Sequence, residues 1–238
     1  MTKENNNFKK GLIDGLPICF GYLSVAFAFG IFAGKSGLSI LEALAISMTN
    51  VTSAGQLAAV PIITGGGTLI ELAITQIVIN LRYALMSVSL SQKLGKSVSM
   101  LDRFIIAFVN TDEVFAVASS NKENVGKKYL YGLILTPYLG WSLGTFLGSF
   151  AGDILPQSIT SALGLAIYGM FVAIVIPVAK KSKTTTFCVL TAVALCCMFK
   201  YTPILNSVPQ GFVIIICAAA ASALFACIAP IKEECDND

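Results

Sequence analysis

Apolar residues run along this chain in blocks of about twenty, separated by short stretches rich in charge, glycine or asparagine. Such a block matches the roughly 30 Å hydrocarbon core of a bilayer at about 1.5 Å rise per helical residue. Reading between the punctuation predicts eight membrane-embedded segments, at 12–34, 41–63, 68–92, 103–120, 129–152, 157–179, 184–200 and 208–230. Connections such as Gly65-Gly66-Gly67, Asn121-Lys122-Glu123-Asn124 and Lys180-Lys181-Ser182-Lys183 leave no room for a soluble insert, so residues 1–238 read as a single membrane domain. No internal repeat is evident in the sequence.

Two segments are abnormal. The run 41–63 is interrupted by Thr49-Asn50-Val51-Thr52-Ser53-Ala54-Gly55-Gln56, and 103–120 is short with Asn110-Thr111-Asp112-Glu113 at its centre. Each predicts two half-helices around a polar break, which membrane depth tolerates only where the break lines a cavity or is buried in protein. The breaks fit either crossing helices or the tips of re-entrant hairpins. Eight crossings with the N-terminus inside put ten lysines and arginines in the cytosol and five outside. Making the two broken segments hairpins moves Lys93, Lys96 and Arg103 inside and gives 13 against two. The positive-inside rule therefore favours an all-α bundle of six crossings plus two hairpins entering from opposite faces, over eight crossings with two broken helices. Both arrangements put both termini in the cytosol.

Composition removes other classes. The 238 residues are 55% hydrophobic and 12% charged, with a mean hydropathy of +0.79, values for a polytopic membrane protein. There is no histidine, no Cys-x-x-Cys and no glycine-rich loop ending in Lys-Ser/Thr, so neither a metal centre, a cofactor nor an ATPase is expected. The seven cysteines lie mostly in apolar runs and suggest no disulfide framework. The net charge of +3 reflects loop lysines and not a nucleic-acid surface. The first apolar block is longer than a signal-peptide core and is expected to persist as a span.

The polar groups inside the spans are the candidate chemistry. Arg82 lies ten residues before Gln92, about 15 Å deep, too far to snorkel easily. It reads as a structural ion pair, a cap on a broken helix, or a fork for a substrate carboxylate. On the same helix Gln76, Asn80, Tyr83 and Ser87 form one stripe, and Glu71, Thr75, Arg82 and Ser89 a second. Asp112 and Glu113 are adjacent and point about 100° apart on a helix, so they cannot share one partner. They read as a proton or ammonium site, a static salt bridge, or a helix N-cap. Thr49 to Gln56 offers either polar glue between helices or, at the start of its second half-helix, a seat for a carboxylate. Gly140, Gly144, Gly148 and Gly152, with Gly132 in register, form a small-residue stripe for close helix packing. Asp14-Gly15-Leu16-Pro17 reads as a helix start with Asp14 as its cap.

Five motifs in order, Asp14-Gly15-Leu16-Pro17, Ser53-Ala54-Gly55-Gln56, Asn80-Leu81-Arg82-Tyr83, Thr111-Asp112-Glu113-Val114-Phe115-Ala116 and Trp141-Ser142-Leu143-Gly144-Thr145, make the chain resemble the AzlC family from about Lys10 to Ala179. Members of that family are large subunits of bacterial branched-chain amino acid permeases, associated with azaleucine resistance and valine export. One departure is the polar run Thr49 to Ser53, where members often carry an aromatic or small residue. The resemblance implies a multi-pass protein of the bacterial inner membrane that exports branched-chain amino acids and works with a second, small membrane subunit of the AzlD type.

The expected function is thus transport of neutral aliphatic amino acids, coupled to the proton gradient, by a protein that is not an enzyme. Asn50, Thr52, Ser53, Gly55, Gln56, Asn80, Arg82 and Tyr83 are the candidate substrate-binding residues, and Asp112 and Glu113 the candidate proton or ammonium site. A scaffold subunit or an intramembrane enzyme using Asp112 and Glu113 are the rival readings.

Overall fold

The computed structural model describes residues 4–152, 182–203, 205–208 and 210–229, with single positions between 153 and 181. The segment expected at 157–179 lies outside these. Five described helices are long and apolar enough to cross a membrane: α1 (Phe8–Lys35), α4 (Leu69–Ser91), α7 (Lys127–Gly152), α8 (Lys183–Tyr201) and α9 (Gln210–Ile228). Four short helices fill the two broken segments: α2 (Ile40–Thr49), α3 (Ser53–Thr64), α5 (Met100–Phe108) and α6 (Asp112–Ser119). Together they make an all-α polytopic membrane protein. The strand pair is β1 (Glu4–Asn5) and β2 (Asn124–Val125), two residues each and parallel.

The spine of the molecule is α1 against α7, running side by side in the same direction. Glycine permits this. A Cβ on Gly11 would lie 2.9 Å from the Leu133 nitrogen, and one on Gly132 would lie 2.9 Å from the Leu12 nitrogen. Further along, a Cβ on Gly140 would lie 2.5 Å from the Cys19 carbonyl oxygen, and one on Gly144 would lie 2.9 Å from the Ala26 Cβ. Small residues thus bring two backbones into contact where the hydrophobic effect offers no drive between helices. The stripe ends one turn sooner than its spacing suggests, because a Cβ on Gly152 would be 3.6 Å from Ile31 Cα, an ordinary contact.

Both broken segments are hairpins. Helix α2 starts beside the end of α7 and runs back along it. Ile40 and Leu41 share a small pocket with Ser149, Ser47 Oγ meets Thr145 Oγ1 at 2.6 Å, and the Met48 carbonyl accepts from Tyr138 at 3.1 Å. After the break α3 returns, since Val60 packs with Ala43, Phe29 and Ala33. Helix α5 starts at the opposite, N-terminal face. There Asp102 meets Lys127 at 2.9 Å and accepts from Tyr131 at 2.8 Å. Hydrogen bonds from Ser99, then the Lys127 ammonium, hold the Asp102 carboxyl well below the usual carboxylate range. Helix α6 returns to that face, where Asn121 donates to Tyr129 at 3.1 Å and accepts from Asn5 at 3.0 Å. The loop between α4 and α5 bonds to Val125, so Lys93, Lys96 and Arg103 share the face of β1 and of the start of α1. This is the hairpin arrangement, and eight crossings are ruled out by the return of α3 and α6.

A span followed by a hairpin therefore occurs twice, with opposite orientation. Ser39 and Glu42 form a capping box on α2, and Ser99 and Asp102 form one on α5. Eleven residues after each serine stands an asparagine, Asn50 and Asn110, and then a threonine opens the returning helix, Thr52 and Thr111. Tyr22 and Tyr83 each stand fourteen residues into the preceding span. The repeat that the sequence hides is thus an inverted one of the kind that builds midplane sites in carriers.

One expectation changes. Helix α1 begins at Phe8 under an Asn7 cap, so Asp14 is not a cap; it lies inside the helix and accepts from Tyr129 at 2.9 Å. Helices α8 and α9 pack mainly on each other, and α8 buries no residue. Glu71 accepts from the Gly211 N–H at 2.9 Å, so the start of α9 stands beside the start of α4.

Candidate functional site

The two hairpin tips meet at mid-depth beside Tyr22, Tyr83 and Trp141, and two chambers open between them. The returning helices α3 and α6 start at a cavity of about 510 Å³, where Ser53 and Ala54 face Thr111, Asp112 and Glu113. The entering helices α2 and α5 end at a second chamber of about 180 Å³, where Thr49 and Asn50 face Phe108 and Asn110. Helix N-termini carry roughly half a positive charge and C-termini half a negative one. The larger cavity is thus bordered by helix N-termini, whereas helix ends of both signs border the smaller one, which Thr52 and Thr111 also line.

In the larger cavity Arg82 reaches Asp112 at 2.8 Å, donates to the Tyr83 hydroxyl at 2.9 Å and stands 4.7 Å from that ring's centroid. Glu113 has a different partner. Tyr22 donates to it and lies 2.6 Å from the Thr111 hydroxyl. No cation pairs with Glu113 among the described residues. Adjacent positions thus have separate partners, as their angular spacing requires. The ring of Trp141 lies edge-on to Tyr22 at 5.1 Å between centroids, and its buried indole N–H has no acceptor. No side chain caps α3, whereas Thr111 accepts from the Val114 N–H at 3.5 Å to cap α6. The remaining wall is apolar, formed by Pro17, Ile18, Val25 and Val51.

A chain of amides ties the first tip to α4. Gln76 Nε2 donates to the Gly55 carbonyl at 2.9 Å, and its Oε1 accepts from Asn50 at 2.9 Å and Asn80 at 3.2 Å. Asn110 donates to Ser87 at 3.0 Å, and Tyr83 to Thr52 at 3.5 Å. The stripe Gln76, Asn80, Tyr83 and Ser87 therefore faces the hairpins, while Glu71 and Thr75 face α9.

Of the candidate residues, Thr52, Ser53, Arg82, Tyr83, Asp112 and Glu113 line the larger cavity, and Asn50 and Asn80 line the smaller. Gly55 is packed, since a Cβ there would lie 2.6 Å from Gln76 Oε1. Gln56 is fully buried with neither amide atom bonded, and it lines neither chamber. Sequence reasoning overlooked Tyr22, and it recorded Trp141 only as part of a motif. An aromatic residue inside an apolar span looks like packing until its polar end is placed.

The chain matches the AzlC family (AzlC protein) over residues 17–155. An uncharacterised membrane protein of Archaeoglobus fulgidus is 36% identical over 172 residues, covering 71% of this chain and 75% of that one. The inner membrane protein YgaZ of Escherichia coli is 29% identical over 192 residues and 78% of each chain. This chain belongs to the AzlC family. An uncharacterised membrane protein of Helicobacter pylori, 28% identical, covers 62% of this chain and 67% of its own. No solved structure matches. The matched range holds both hairpins, α4 and most of the spine, and so every residue of both chambers. It stops before α8 and α9, whose contribution is to flank α4.

Proposed function

We propose that this AzlC-family protein carries neutral aliphatic amino acids, branched-chain ones in particular, out of the cell, coupled to the proton gradient and together with a small AzlD-type membrane subunit. The observation that carries this is the composition of the larger cavity. It offers the uncapped start of α3 or Arg82 for a carboxylate, Asp112 or Glu113 for an ammonium, and Ile18, Val25 and Val51 for an aliphatic side chain. Its volume lies within the roughly 300–1,000 Å³ of small-molecule sites. The inverted repeat supports alternating access, because two hairpins from opposite faces can open in turn around one site. The positive charge on the face of β1 supports a cytosolic N-terminus in an inner membrane.

Asp112 is neutralised by Arg82, which leaves Glu113 to carry the coupling proton. Radiolabelled leucine flux in proteoliposomes, with and without a pH gradient and with and without the small subunit, tests the reading. Glu113→Gln abolishes gradient-driven accumulation and retains exchange, since exchange needs the site but no net proton movement. Accumulation by Glu113→Gln equal to the parent protein's removes the proton role, and absence of any amino acid flux removes the carrier.

A further inference from the structure

We infer that Tyr22 and Tyr83 are the two latches of the site, each holding the hairpin tip of the other repeat, and that the carrier changes state by exchanging which of them is closed. The inference deepens the carrier reading above, and it rests on alternating access and not on the substrate. The contacts are crossed. Tyr22 stands on α1, in the first repeat, and lies 2.6 Å from the Thr111 hydroxyl at the tip of the second hairpin. Tyr83 stands on α4, in the second repeat, and donates to Thr52 at the tip of the first hairpin, at 3.5 Å. Both tyrosines hold the same place in their helices, and both threonines stand at the N-cap of a returning helix. Polar glue between neighbouring helices has no reason to recur, crossed, at matched positions of an inverted repeat.

The two contacts are equivalent in position and unequal in length. Carriers with inverted repeats rock or gate one repeat against the other, so a tight grip at one crossing and a slack one at the other is what a single end state shows. The sequence supplies the bias. Counted from the threonines, Glu113 matches Ala54. Tyr22 donates its one proton to Glu113, so the Thr111 hydroxyl donates to Tyr22 and the grip consists of two bonds. Tyr83 accepts from Arg82 and has only the Thr52 oxygen to donate to. Opening Tyr22 frees the second hairpin from α1, while Arg82 on Asp112 at 2.8 Å and Asn110 on Ser87 at 3.0 Å still tie it to α4. When α4 follows, a shift of about 0.7 Å brings the Tyr83–Thr52 contact to the usual hydroxyl distance of about 2.8 Å. Thr52, Tyr83 and Thr111 line both chambers, so the exchange acts at the wall between them.

The test contains no amino acid. In the full-length chain with its native cysteines replaced, Val25→Cys places one thiol in the wall of the larger cavity. A membrane-impermeant maleimide is applied to intact cells and to inside-out vesicles, and the ratio of the two labelling rates reads the face to which the cavity opens. Tyr22→Phe shifts that ratio by about fivefold, the factor that one net hydrogen bond represents. Tyr83→Phe shifts it in the opposite direction, and the double variant lies between the two. Shifts in the same direction, or an unchanged ratio in both, overturn the latches and leave the tyrosines as packing. If either phenylalanine variant does not fold, Thr111→Val and Thr52→Val make the same comparison from the hairpin side, and again only opposite shifts sustain the proposal. Leucine flux by the parent protein alongside unchanged ratios keeps the carrier without the latches. Opposite shifts without leucine flux keep the latches and remove the substrate.

Discussion

The two hairpins share one plan, a capping box, an entering helix, an asparagine and a threonine at the tip, and a returning helix. They are nevertheless held in different ways. The first is packed in place by neutral contacts: Ser47 on Thr145, Tyr138 on the Met48 carbonyl, the Asn50–Gln76–Gly55 amide chain, and Val60 among Phe29, Ala33 and Ala43. The second is held by charge, with Asp102 on Lys127, Asp112 on Arg82 and Glu113 under Tyr22. Protonation or a charged ligand in the cavity leaves the first set nearly unchanged and alters the Asp112 and Glu113 contacts of the second. The first hairpin is therefore the fixed wall of the cavity, and the second is the one whose position can follow its occupant.

The largest effect comes from removing the floor that both hairpins share. Gly144→Leu forces α1 from α7, because even the first carbon of a side chain there overlaps Ala26. Folded protein in the membrane should fall several-fold. Gly152→Leu, with its Cβ in ordinary contact with Ile31, should leave abundance within about 20% of the parent, since a tolerated site costs well under 1 kcal/mol. Fluorescence-detected size exclusion of both variants makes the measurement, and equal profiles would mean that the hairpins do not rest on the spine.

The next effect separates the hairpins. Arg82→Ala leaves the Asp112 carboxylate without its partner at membrane depth and should lower both folded protein and flux, whereas Arg82→Ala with Asp112→Ala should regain abundance but not flux. Gln76→Leu cuts the amide chain of the first hairpin without stranding a charge and should cost less folded protein than Arg82→Ala. The reverse order would make the first hairpin the labile one.

Much of this was legible in the chain. The apolar blocks marked the spans, and the lysines around Arg103 distinguished hairpins from crossings, because charge sorting depends only on which face a loop occupies. The division into two chambers was not legible. It depends on which helix ends converge, and Asn50 and Asn110 line only the smaller chamber although Thr52 and Thr111, their neighbours in sequence, line both. Asp14 was misread because hydropathy marks where lipid starts. Helix α1 starts earlier, at Phe8, with Lys9 and Lys10 in its first turn. The inverted repeat escaped notice because its two copies share only a cap, an asparagine, a threonine and a tyrosine, and the lipid-facing residues between them are interchangeable.

The smallest effect tests the difference between the tips themselves. Thr111 caps α6 through the Val114 N–H and also meets the Tyr22 hydroxyl, whereas Thr52 makes no capping bond and only a 3.5 Å contact with Tyr83. Loss of a threonine cap costs about 1 kcal/mol. Thr111→Val should therefore lower the Tm of the purified protein by about 2–4 °C, the shift a 1 kcal/mol change produces in a chain of this size. Thr52→Val, which keeps the volume and removes no capping bond, should stay within about 1 °C of the parent on the same scale. Thr111→Ser, which retains the hydroxyl, should recover most of the loss. An equal fall in both valine variants would show that the start of α3 is capped after all, and the open backbone N–H groups assigned to a substrate carboxylate would then be already engaged.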